Sequence, residues 1–439
     1  VWFAWRRGAP SSQHSDWRAN VADEAVTSVS PFQPAPPEKR KGQALCLSGG
    51  GFRAALFHLG ALRRLNEVGL LSKLATITSV SGGSVANGLL ARYWMDSKPK
   101  ADALGRLPAF DTYEAALRAF CSRDIRTGPL LTERLDPRNW PLLLGDDHSA
   151  TDLLAQQYRD HLVGDLRLKD LVAVEKAGSP KFVFNSSGVQ TGVDFVFSGD
   201  RVGDWKIGHA SMPDVLVADA IAASSAFPIA FPPLVLKFEP GTFQGGALEG
   251  KPGYETMSRR VVLTDGGVYD NLGLEPVWKS HVAVLCSDGG KPFGADAAPA
   301  QGLPGRLLRV QDIIGNQAIA IRKRWLVASF EKKVYRGTYW GIGTEIEGYK
   351  TRGPGYGETV LGGLVLDRLR AVRTDFNTFS EAEQLILMNH GWTLADAALR
   401  TYMPDALPNP VPAGSVPSTD FLEHPDRAAE ALRASDKHV

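Results

Sequence analysis

Between residues 53 and 68 the apolar positions recur at helical spacing. Leu56, Leu59, Leu62, Leu65 and Val68 share one face, and Arg63, Arg64 and Glu67 lie off it. Gly69 follows, where a helix commonly closes in a left-handed residue. Short continuous apolar runs stand on either side, at 43–47 and 74–80. They suit strands buried on both faces. A second helix is predicted over 82–95. Strand, helix, strand, helix at this spacing specifies an α/β fold around a parallel sheet. Farther along, 97–180 reads as mostly helical and 181–185 with 193–198 as a hairpin. A helix is predicted at 215–226, and strands at 260–264 and 282–286, each running into an acidic turn. After about residue 360 the pattern is helical again, with a Pro-rich break at 404–417. There is no internal repeat.

The two longest uncharged runs, 74–91 and 220–236, approach the length of a membrane span, but their content argues against one. The first holds Ser79, Ser81, Gly82 and Gly83, and the second holds Pro228, Pro232 and Pro233. Such residues are costly inside a helix or strand and invite a functional explanation. Composition narrows the field. With 439 residues, 44% hydrophobic and 22% charged, the chain can bury a large core and is not disordered as a whole. Lys and Arg number 49 against 48 for Asp and Glu, so the basic excess of a nucleic-acid binder is missing. Cys46, Cys121 and Cys286 form neither a disulfide framework nor a zinc-site spacing. Residues 1–42 read as an N-terminal segment with a Pro-rich linker (Pro31, Pro34, Pro36, Pro37). The opening residues 1–7 have neither the apolar core nor the cleavage site of a secretory signal and are not expected to be one. Trp2 and Trp5 ahead of Arg6 and Arg7 would suit the end of a membrane anchor if the chain is truncated.

Three stretches carry candidate chemistry. Ser79-Val80-Ser81-Gly82-Gly83, between a predicted strand and helix, has the shape of the nucleophile elbow G-x-S-x-G, with Ser79 in place of the first glycine. The plainer alternative is a turn closing a βα unit. Ser48-Gly49-Gly50-Gly51-Phe52-Arg53 occupies the preceding strand-to-helix turn. No Gly-Lys-Ser/Thr follows, so it is not a P-loop, and Ala54 breaks the dinucleotide fingerprint. What remains is a tight turn, or an oxyanion hole built on the amides of Gly50 and Gly51. A serine nucleophile needs a base. None of the nine histidines sits in a recommending motif; His390, before Gly391, falls at a predicted helix end. Asp265, closing an apolar strand ahead of Gly266-Gly267, is the better candidate, against a plain Asp-Gly turn. A carboxylate at its usual pKa of about 3.9 is a weak base, so burial must raise it.

In this order along the chain, the Gly-rich loop, the Ser81 elbow and Asp265-Gly266-Gly267 resemble the patatin-like phospholipase family. The block 222–228 followed by Phe231-Pro232-Pro233, and the run 266–273, are similar to further blocks of that family. The resemblance covers roughly 43–290. It implies a three-layer α/β/α fold with a mostly parallel central sheet; beyond it, the residue pattern predicts a largely helical C-terminal extension over 291–439. It also implies a Ser81–Asp265 dyad, an oxyanion hole at Gly49, Gly50 and Gly51, and a role for Arg53 toward a phosphate head group. Gly82, Gly83, Gly266 and Gly267 are the elbow and acid-turn glycines. Ser79 and Ala54 depart from the family pattern.

The implied activity is hydrolysis of phospholipid or lysophospholipid esters. The mechanism calls for no metal and no cofactor, nor is a nucleic-acid partner expected. Localisation is expected to be cytoplasmic or peripheral to a membrane, and the oligomeric state is open. Two rivals stand beside this reading. One is a carboxylesterase or thioesterase with a Ser–His–Asp triad, whose base would be His390 or His424. The other is a non-catalytic lipid-binding protein on the same scaffold. The block 222–233 either shapes an acyl pocket or simply ends a helix at Pro228. The basic amphipathic pattern at 306–336 fits either a membrane-surface helix or, as is commoner, a core-packed helix with a solvated basic face.

Overall fold

Residues 44–47 are apolar without a break because β1 (Lys41–Leu47) is covered on both faces. Leu45 and Leu47 enter the large core cluster. Ala44 and Cys46 enter a smaller one on the opposite face, with Leu272, Trp278, Cys286 and Leu326. The computed structural model describes residues 37–132, 136, 147–228, 230–351 and 364–435. Trp2, Trp5, Arg6 and Arg7 lie outside them, as does most of the Pro-rich linker.

The remaining strands are β2 (Leu74–Ser79), β3 (Lys181–Gly188), β4 (Asp194–Ser198), β5 (Arg201–Asp204), β6 (Gly208–Ser211), β7 (Leu234–Lys237), β8 (Gln244–Gly245), β9 (Arg260–Asp265), β10 (His281–Asp288) and β11 (Arg336–Gly341). They form one sheet in the order β11-β10-β1-β2-β3-β4-β5-β6-β8, with β9 pairing β3 and β7. From β11 to β3 every pairing is parallel, as the strand–helix alternation specifies. From β3 to β6 the chain returns by short turns, so those pairings are antiparallel; β8 comes back after a long connection through β7 and pairs antiparallel with β6.

Helices α1 (Gly51–Glu67) and α2 (Gly82–Ser97) follow β1 and β2. The stretch expected to be mostly helical holds α3 (Phe110–Cys121), α4 (Ala150–Tyr158) and α5 (Leu168–Lys176). Then come α6 (Val217–Ser225), α7 (Tyr254–Arg259), α8 (Gly267–Asp270), α9 (Leu303–Glu331), α10 (Leu364–Ala371), α11 (Glu381–Tyr402), α12 (Asp420–Glu423) and α13 (Pro425–Ser435). Beyond residue 290 the chain supplies β11 to the sheet's edge and lays α11 along α1. No helix among the described residues is long and apolar enough to cross a membrane.

Two local expectations need correction, and α11 causes both. Arg64, placed off the apolar stripe of α1, is fully buried; its Nε donates to Asp396 of α11 at 2.7 Å and its ring-facing side stacks on Trp392. His390 lies well inside α11 rather than at a helix end. The helix runs on through Gly391 because α1 crosses there: a side chain at 391 would run into the carbonyl of Phe57.

Candidate active site

One edge of β3 serves two strands in succession. Its first half pairs in parallel with β2, Ser79 opposite Phe184. Its second half pairs antiparallel with β9, Asp265 opposite Ser186. Because β4 holds the other edge, β2 and β9 end head to head, about 7 Å apart along β3. Ser81 and Asp265 meet at this junction, close enough for the serine hydroxyl to draw the carboxyl's pKa down. The sheet register therefore brings together two residues far apart in sequence.

The turn that presents Ser81 is strained, with φ 49° and ψ −118°. Such backbone costs about 1–3 kcal/mol and persists only where its surroundings over-determine it. Here they form a buried hydroxyl network. The Ser81 amide donates to Ser224 Oγ at 2.9 Å, and Ser224 Oγ donates to the Asn185 carbonyl at 2.6 Å. The Ser84 hydroxyl lies 2.9 Å from that of Ser224 and 3.0 Å from that of Ser79. Ser79 in turn donates to the Val183 carbonyl and accepts from Asn87 Nδ2, both at 3.0 Å. Ser79, the departure from the elbow pattern, is thus a working member of the network. A glycine there would remove one acceptor of Asn87 Nδ2 and of the Ser84 hydroxyl, which keep the carbonyls of Ile77 and Val183 and the Ser224 hydroxyl as partners.

The Gly-rich loop packs directly on this turn. Gly49, one of the three expected oxyanion donors, spends its amide on the Asn271 carbonyl at 3.1 Å. The amides of Gly50, Gly51 and Gly82 make no hydrogen bond to any described residue. Gly50 (φ 143°) and Gly51 (φ 60°) adopt backbone that other residues avoid. A methyl group on Gly82 would run into the carbonyl of Gly51, and one on Gly49 would lie 3.2 Å from Ser81 Cβ. Gly83 is needed where α2 passes the carbonyls of Leu47 and Ser48, and Gly266 where the acid turn passes that of Asn185.

Asp265 is buried, and that desolvation pushes its carboxyl up to about 7. The Gly267 amide, donating at 2.7 Å, and the Ser81 hydroxyl pull the other way. Its strand end is held by α6: the Asp265 amide (3.0 Å) and the Thr264 hydroxyl (2.7 Å) both donate to the Ala226 carbonyl. Through Ser224 and Ala226, the end of α6 therefore buttresses both members of the pair. Sequence reasoning missed Ser224, Ser84 and Asn185. The signal was the pair Ser224-Ser225 inside an otherwise apolar run. An unfolded chain releases the Asp265 proton near pH 3.8, whereas the folded chain keeps it to about 7. Stability is therefore lost as pH rises through that window. Asp265→Asn is expected to add on the order of 1–4 kcal/mol to the unfolding free energy at pH 8 and less at pH 5, and so to raise the melting temperature more at pH 8. Calorimetry at the two pH values checks this.

Arg53 is fully buried beneath the loop. Its Nε donates to the Gly289 carbonyl at 3.0 Å and one Nη to that of Val372 at 2.8 Å. Burial lowers its pKa to about 10, with Asp288 opposing. His58 holds the loop from the other side, bonded to the Ser48 carbonyl (2.9 Å) and the Ser287 hydroxyl (2.8 Å); burial brings it down to about 4. His390, also lowered to about 4 by burial, bonds the Ile342 carbonyl, and His424 is exposed beside Asp420. No histidine among the described residues hydrogen-bonds to Ser81 or Asp265.

The family model for Patatin-like phospholipase matches residues 45–278, more than half of the chain. This chain belongs to the patatin-like phospholipase family. The match contains the Gly-rich loop, the elbow and Asp265, and membership supports lipid hydrolysis as the class of activity. This patatin-like chain is also similar to human GIVD cytosolic phospholipase A2, at 14% identity and a TM-score of 0.48, covering 92% of this chain and 61% of that one. The same human enzyme in complex with methyl gamma-linolenyl fluorophosphonate gives 15% identity, 91% and 60% coverage and a TM-score of 0.47. VipD from Legionella pneumophila gives 13% identity, 92% and 75% coverage and a TM-score of 0.34. The chain spans less than two thirds of the human enzyme's length. No curated protein matches it.

Proposed function

We propose that the chain is a lipid acyl hydrolase of phospholipase A or lysophospholipase type, working through a Ser81–Asp265 dyad. The observation that carries this is the meeting of β2 and β9 on β3, which sets the Ser81 hydroxyl near a buried carboxylate, beside loop amides that bond to no described residue. Asp265 accepts the Ser81 proton as Oγ attacks the ester carbonyl carbon. The carbonyl oxygen becomes an oxyanion, met by the amides of Gly50, Gly51 and Gly82. Losing one such donor typically costs about 10²–10³ in rate. The intermediate collapses, the lysolipid alkoxide leaves and takes the proton from Asp265, and Ser81 keeps the acyl group. A water then gives its proton to Asp265 and attacks the acyl carbon, and fatty acid departs as Ser81 regains a proton.

Arg53 serves this reaction through the loop: a guanidinium locked on two carbonyls fixes Gly50 and Gly51 rather than reaching a head group. The substrate is a phospholipid or lysophospholipid ester.

Two experiments test the reading. Vesicles of defined phospholipids and lysophospholipids are incubated with wild type, Asp265→Asn and His390→Ala, and products are identified by mass spectrometry. Fatty acid and lysolipid are expected from wild type, with Asp265→Asn nearly silent. Equal release by wild type and Asp265→Asn would sink the proposal. On a short-chain soluble ester, kcat/KM is expected to rise about tenfold per pH unit below about 7 and level off above it, as Asp265 ionises. A profile flat from pH 5 to 8 would remove Asp265 as the base.

A further inference from the structure

Helix α9 carries two apolar stripes, and only one is covered. The inner stripe, with Leu326 and Phe330, packs on the cluster around Ala44, Cys46 and Trp278. The outer stripe is Leu303, Leu307, Val310, Ile314 and Ile321, whose spacing keeps all five on one face. They are 52–62% exposed. The expected core-packed helix with a solvated basic face is thus only half of what is found: the described residues leave the outer face unpartnered.

The helix is fixed beside the candidate active site. Arg322 pairs with Asp270 of α8, the short helix after Asp265, at 3.3 Å and lies over the ring of Tyr269. Lys323 pairs with Asp288, the last residue of β10. Burial works to raise the Asp288 carboxyl, but Lys323 and the Tyr339 hydroxyl hold it below the usual carboxylate range. These clamps set α9 at the level of the strand ends that carry Ser81. Residues 303–321 precede the clamp, and at 1.5 Å per residue they amount to roughly 28 Å of helix. The next strand, β11, starts at the other end of the sheet, so α9 descends from the clamp toward it. Residues 303–321 therefore run past the strand ends on the side of the Ser81–Asp265 pair.

The charge around the outer stripe has one sign. Arg306 and Arg324 border it, and Arg309 sits on the next row, over the exposed ring of Phe293 at 4.2 Å. Asp312 is the only acid between residues 303 and 330, on the opposite side of the helix. A second copy of this chain would bring two cationic borders together. An anionic lipid surface satisfies both features: hydrocarbon takes the apolar stripe and head groups take the arginines.

We infer that α9 is an interfacial helix that lays its outer stripe into an anionic bilayer and so brings the Ser81 edge of the sheet to its substrate. This rests on the lipid-hydrolase reading for its purpose, but the binding itself needs no catalysis.

The test therefore uses the full chain carrying Ser81→Ala, sedimented with vesicles of phosphatidylcholine alone or mixed equally with phosphatidylglycerol. Binding is expected to favour the anionic vesicles and to weaken with salt. Adding Leu307→Glu and Ile314→Glu is expected to weaken it tenfold or more. Arg306→Gln with Arg324→Gln should erase the preference for phosphatidylglycerol. In an otherwise wild-type chain, the Leu307→Glu/Ile314→Glu pair should leave hydrolysis of a short-chain soluble ester unchanged, which shows that the fold survives. Equal sedimentation with and without the glutamates would overturn the inference. So would light scattering that shows a dimer broken by them without any vesicle binding. If vesicles bind but the wild-type chain releases no fatty acid, the hydrolase reading fails and this one stands.

Discussion

Ser81→Ala is expected to cut fatty-acid release by about 10⁴-fold while leaving the chain folded, and Asp265→Asn is expected to do the same. This is the scale of loss when one member of a serine-hydrolase catalytic set is removed. Alanine tolerates the φ of 49° no worse than serine does, and the Ser81 amide still reaches Ser224, so the strained turn survives. What disappears is the hydroxyl. In Asp265→Asn the amide keeps the shape of the site but cannot take the proton. In the proposed dyad the two side chains act as one unit, so the double variant should lose little more than either alone. Circular dichroism together with turnover of a soluble ester checks this. Losses that multiply would mean that the two residues serve separate steps.

Gly82→Ala is the second large effect. The added methyl meets backbone, not a side chain that can swing away: the Gly51 carbonyl lies in its path, and Gly51 N is 2.9 Å off. Either the Gly-rich loop retreats, taking its amides from the site, or the start of α2 shifts and moves Ser81. Both outcomes cost catalysis. We expect kcat to fall by 10²-fold or more, with about 1–3 kcal/mol of destabilisation from overpacking. KM for a soluble ester should change far less. Wild-type kcat in Gly82→Ala would mean that the loop is not part of the machinery.

The local frame of the site was legible because its signals are local. A continuous apolar run, three glycines and a helical stripe define β1, the loop and α1. The same grammar defines β2, the Ser81 elbow and α2. Asp265 was nameable from an apolar strand that ends in Asp-Gly-Gly. What joins Ser81 to Asp265 was not legible. β3 shares one edge between a parallel and an antiparallel partner, and no local pattern encodes that register. The hydroxyl network was hidden for a related reason. Ser224 and Asn185 read as small polar residues in apolar surroundings until the fold sets them under the elbow. Arg64 looked solvent-facing because its partner, Asp396, lies on a helix far along the chain. In α9 the periodicity reports two stripes with equal clarity. Which of them a protein core covers is decided by the clamps to Asp270 and Asp288, not by the helix's own sequence.

The central claim is that Ser81, activated by Asp265, is the nucleophile. A fluorophosphonate reacts covalently with such a serine, so the most direct measurement is peptide mapping by mass spectrometry after treatment of the full chain. One stoichiometric adduct is expected on Ser81, absent from Ser81→Ala and formed much more slowly in Asp265→Asn. An adduct on another serine, or continued hydrolysis with Ser81 unlabelled, would contradict it.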